Sequence, residues 1–69
     1  MSKEAIKFNI VREIGNIKYL CEIVESSIYF PNVSNRPKEK LKQIMEEAKE
    51  SVEKCIAQID KLKTPNYAN

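Results

Sequence analysis

Sixty-nine residues with twelve Lys and Arg against ten Asp and Glu, 42% hydrophobic content and a net charge of +2 make one small unit. That balance is too even for a dedicated nucleic-acid coat or a polybasic membrane binder. With no histidine and a single glycine, histidine-based nucleophilic triads and glycine-rich phosphate loops are excluded.

From the amino end, apolar residues recur at Ile6, Ile10, Ile14, Ile17, Cys21, Val24 and Ile28, in steps of three and four. This spacing predicts a first helix over about 3–28. Ser2 suits its N-cap, and Glu4 complements the positive end of its dipole. The segment from Tyr29 through Pro31 and Arg36 to Pro37 breaks the repeat, because each proline removes a backbone donor and pushes its predecessor out of helical geometry. A hinge over about 29–36 follows, with Pro37 in the first turn of the next helix and Ser34, Asn35 or Arg36 as its cap.

Leu41, Met45, Ala48, Val52, Cys55, Ile59 and Leu62 then form a heptad seam flanked by Ile44 and Ile56, which predicts a second helix over about 37–63. Residues 64–69 read as a frayed tail. A short hinge between two long helices predicts a single all-α domain, an antiparallel hairpin whose paired residues have numbers adding to about 66.

The first helix carries a further apolar stripe, Ala5, Phe8, Val11, Gly15, Tyr19 and Ile23, which one hairpin cannot cover. This predicts a homo-oligomer, in its simplest form a dimeric four-helix bundle, with Phe8, Val11, Gly15, Tyr19 and Ile23 at the oligomer or partner interface. Gly15 fits that reading, since a mid-helix glycine costs about 1 kcal/mol relative to alanine and suits close approach of another backbone.

The predicted register separates Cys21 from Cys55 by ten residues along the axis, about 15 Å, which is beyond disulfide reach. Both are expected as buried reduced thiols. Without histidine or a Cys-x-x-Cys pair they offer no metal site, and Glu46, Glu47, Glu50 and Glu53 read as a solvated face. No metal, no cofactor and no enzymatic activity are expected. Arg36, Lys38, Lys40 and Lys42 gather at the amino end of the second helix, next to Tyr29 and Phe30. Helix amides with cations bind anions, and aromatic faces beside cations stack bases, so this cluster is a candidate anion, nucleotide or RNA site. In the competing reading Tyr29 and Phe30 plug the open end of the bundle and the lysines stay solvated.

No apolar run approaches the ~18 residues of a membrane span, and the first residues lack a signal-peptide pattern, so a cytoplasmic protein without membrane contact is expected. Abundant Lys, Ile, Glu and Asn fit an AT-rich genome such as that of a Firmicute or a phage. The layout resembles that of the Rop family of plasmid copy-number regulators, whose helical hairpins dimerise into four-helix bundles and grip paired RNA loops. The likeness is one of architecture, with no residue motif to carry over. In size the chain is also similar to small phage-encoded helical-hairpin proteins, some of which sequester cyclic-nucleotide signals in pockets made by oligomers. The expected role is a non-enzymatic interaction or regulatory protein that self-associates and binds or inhibits a larger macromolecular partner. The alternative is an anion, nucleotide or RNA binder.

Overall fold

Ser2 Oγ accepts a hydrogen bond from the Ala5 amide at 3.2 Å, satisfying one of the donors that a helix leaves unpaired at its start. From this cap the computed structural model, which describes residues 2–62, runs through α1 (Lys3–Tyr29) and a hinge into α2 (Lys38–Asp60). The α1 helix stops where the prolines require it. The Phe30 amide still bonds the Ser26 carbonyl at 2.8 Å, but Pro31 has no amide to continue the ladder. The chain turns back as the amides of Val33 and Ser34 both bond the Phe30 carbonyl.

Pro37 is itself the cap of α2, in place of Ser34, Asn35 or Arg36. Its extended backbone, φ −66° and ψ 154°, is the geometry that its ring allows, and its carbonyl accepts from the amides of Lys40 and Leu41. At the far end α2 closes at Asp60, short of the expected limit. There the Lys61 and Leu62 amides reach back only three residues, to the Gln58 and Ile59 carbonyls, which tightens the last turn. The expected tail, 64–69, lies outside the described residues.

The two helices pack as an antiparallel hairpin in the predicted register. Asn16 Nδ2 donates to Ser51 Oγ at 2.8 Å and the Cys55 thiol donates to the Ile10 carbonyl at 3.9 Å, pairs whose numbers add to 67 and 65. The seam itself is displaced from the predicted one by one residue at alternate positions. Buried residues are Ile6, Leu20 and Ser27 on α1, and Ile44, Ala48, Ser51 and Cys55 on α2. Ile10, Glu13, Ile17, Val24, Leu41 and Gln58 complete the seam, half-buried. Ile14, Cys21 and Ile28 on α1, and Met45, Val52 and Ile59 on α2, were expected inside but are exposed.

The physical reason lies at the centre of the seam. Leu20, absent from both predicted stripes, packs there with Ile44 and Ala48, supported by Ile23 and Val24. Small residues at Ala48 and Ser51 leave room for the larger side chains opposite, so the helices settle where large meets small. Polar seam residues are the consequence. Ser51 is held by Asn16, and Ser27 Oγ donates to the Ile23 carbonyl at 3.1 Å. Gln58 Oε1 is buried without a hydrogen-bond partner, an arrangement that costs about 1–3 kcal/mol.

With extents of 47 × 22 × 17 Å the molecule is two helices wide and one deep. A single layer encloses little: among the described residues no large side chain is completely buried. Replacing Gln58 with Leu removes the orphaned acceptor and adds an apolar seam residue. The expected outcome is a gain of about 1 kcal/mol in unfolding free energy, read from the urea midpoint at unchanged m-value by circular dichroism.

Candidate functional site

Two features of the hairpin are built for contact or restraint, the hinge end and the uncovered helix faces. At the hinge, Arg36 turns inward. Its Nη1 donates to Ser27 Oγ at 3.2 Å and to Ser34 Oγ at 2.5 Å, tying the last turn of α1 to the returning chain. Each serine hydroxyl can accept such a bond, so the guanidinium spans the turn as a clamp. Arg36 also lines an open groove of about 200 Å³ with Tyr19, Glu22, Ile23, Ser26 and Ser34.

The basic cluster read from the sequence does not converge. Arg36 is committed to the hinge, and Lys38, Lys40 and Lys42 are all exposed. At 100° per residue Lys38 and Lys42 share one side of α2, while Lys40 points to the other. Tyr29 and Phe30 do not plug the end of the hairpin. Together with Phe8 and Tyr19 they are 61–72% exposed, and Val33 at the turn is 88% exposed. The hinge thus presents an aromatic and aliphatic tip with two lysines on a neighbouring face.

Of the expected interface residues, Phe8, Val11, Gly15 and Tyr19 are exposed, whereas Ile23 is half-buried against the Leu20 cluster. A Cβ built on Gly15 meets nothing within 4 Å, so no contact inside the hairpin calls for the glycine. Of the two cysteines, both free, Cys55 is buried as expected and Cys21 is exposed. Met45, Val52 and Ile59, whose heptad spacing places them in the expected core, are surface residues.

The side of the hairpin that carries Asn16 is polar. Asn16, Leu20, Glu47, Glu50, Ser51 and Lys54 line one open groove there, of about 290 Å³. An overlapping groove of about 310 Å³ is lined by Arg12, Glu13, Asn16, Ser51 and Lys54. These volumes lie close to the ~300 Å³ lower bound of small-molecule pockets, and both grooves are open to solvent. Among the described residues no group of three His, Cys, Asp or Glu side chains is arranged to hold a metal ion. No helix among them is long and apolar enough to cross a membrane.

No family model, curated protein or solved structure matches this chain.

The Arg36 clamp gives a test of the hinge. Arg36→Ala is expected to lower unfolding free energy by about 1 kcal/mol. Arg36→Lys should recover only part of it, since a single ammonium does not reproduce the planar fork. Chemical denaturation of the three proteins side by side measures both effects.

Proposed function

We infer that this chain is a non-enzymatic helical interaction protein that self-associates and binds or inhibits a larger macromolecule. One observation carries the reading: a layer one helix deep leaves twelve large hydrophobic side chains at least 40% exposed, with no large side chain completely buried among the described residues. Apolar surface on that scale marks an interaction protein. The seam is too polar to supply the missing stability, because Ser27, Ser51, Glu13 and Gln58 occupy it. Association supplies a second apolar layer, and a dimeric four-helix bundle is the smallest closed assembly that does so.

The larger partner has two surfaces left to it. Phe8, Gly15 and Tyr19 form a ridge on the outer side of α1, and Tyr29, Phe30 and Val33 form the tip. Two free cysteines support a reducing, cytoplasmic setting. Sedimentation equilibrium at micromolar concentration tests self-association. The expected mass is at least twice the 8.0 kDa of one chain, and a cooperatively unfolding monomer overturns it. Affinity capture from the native host followed by mass spectrometry identifies the partner.

A second reading, binding of a nucleotide or RNA, is favoured by the exposure of Tyr29 and Phe30 near the start of α2, where Lys38 and Lys42 share a side. Aromatic faces and adjacent cations together suit stacked bases and phosphates. If this reading holds, the double charge reversal Lys38→Glu with Lys42→Glu removes binding to a labelled RNA oligonucleotide. Unchanged affinity in a filter-binding assay rules it out.

A further inference from the structure

We propose that a second copy of this chain covers one particular side of the hairpin, the side formed by Ile14, Cys21 and Ile28 of α1 with Met45, Val52 and Ile59 of α2. The proposal rests on the self-association reading and assigns its surface. All six residues stand one position after a seam residue. In an antiparallel pair the same heptad position of both helices falls on one side of the interface. The side is therefore continuous across both helices. Ile14 lies level with Val52 and Cys21 with Met45, in the register that Asn16–Ser51 and Ile10–Cys55 define. Val11 and Ile56, one further step around their helices, widen it near the end away from the hinge.

The half-buried Ile10, Ile17, Val24 and Leu41 form its floor. Lys7 and Lys38 occupy the equivalent positions at its two ends, leaving the stretch between them free of charge. The reverse side carries Asn9, Asn16, Lys40, Glu47 and Lys54 beside Ile23, with Leu20 lining its groove. One side of the hairpin is dry and the other wet.

Area and repeat select the occupant. Val11, Ile14, Ile28, Met45, Val52, Ile56 and Ile59 are 40–66% exposed. These fractions leave on the order of 700 Å² of apolar side chain open to water, close to the ~800 Å² per partner of a standard interface. The apolar layers repeat every seven residues on two parallel-sided rows, so an identical strip laid against them offers knobs at the same spacing. The edge carries Lys18, Lys42 and Lys49 against the single Glu25, an excess of cations that a second copy leaves in solvent at the rim.

Cys21 makes the assignment measurable, because it is exposed in the hairpin and lies at the middle of the proposed contact, while Cys55 is already buried. Iodoacetamide labelling of the full-length protein is followed across a dilution series alongside sedimentation equilibrium. The expected result is a dimer in which Cys21 labelling slows roughly tenfold as the dimer populates, with Cys55 slow throughout. Ile14→Glu and Val52→Glu, tested separately, should each weaken the dimer by about 100-fold and restore Cys21 labelling, whereas Glu46→Lys on the exposed outer face of α2 should shift it less than about threefold. Should either variant unfold, the wild-type labelling series decides alone. A dimer whose Cys21 labels at one rate at every concentration overturns the surface and leaves self-association standing. A monomer at all concentrations overturns both.

Discussion

A helix that has only one neighbour can have only one stripe covered. Every other property of this molecule descends from that restriction. Two long rods joined by a short turn meet along positions that repeat three and four residues apart, and the remaining circumference of each faces water. The seam that forms is governed by fit as much as by greasiness. Leu20 enters it opposite Ala48 and Ile44, and the small residues at 48 and 51 draw the helices to this setting while polar groups are carried into the contact. The richer stripes are left outside.

The sequence therefore disclosed the rods and not their rotation. Periodicity located the ends of both helices to within three residues, because Ser2, Pro31 and Pro37 punctuate the chain with unambiguous backbone chemistry. It also fixed the antiparallel register, since the length of the hinge allows little slack. Rotation about the helix axis was harder to read. Ile6, Ile10, Ile17 and Val24 belong to both competing seams on α1, and the choice falls to positions 13, 20 and 27 against 14, 21 and 28. Glu13 and Ser27 make the first set look wrong by composition, yet it is the set that contains Leu20. On α2 the same ambiguity separates 44, 51 and 58 from 45, 52 and 59. Hydrophobicity favours one set and packing of large against small favours the other, and a single sequence displays only the former.

The cations of the candidate binding cluster do not all share one face, for a related reason. Four cations close together in sequence are dispersed by a helix, since 100° per residue sends Lys40 away from Lys38 and Lys42. Arg36 differs in standing just before the helix, where the chain is still turning and a long side chain can reach back to Ser27. Its hydrogen bonds to two serines could not be read from spacing, because they depend on the path of the turn. What remains at the hinge is an exposed hydrophobic tip beside a pair of lysines.

The hinge also constrains how the two arms can pair. Helical arms joined by a turn can in principle exchange between copies, each arm of one chain pairing with an arm of another through a straightened connection. Pro31 and Pro37 oppose that straightening as helix, and the Arg36 bond to Ser27, across the turn, forms when the turn is closed. Domain swapping is thereby disfavoured, and intramolecular closure over a short loop comes first. Each arm therefore finds its mate within its own chain, and the path of one polypeptide is settled inside its own hairpin rather than by trading arms.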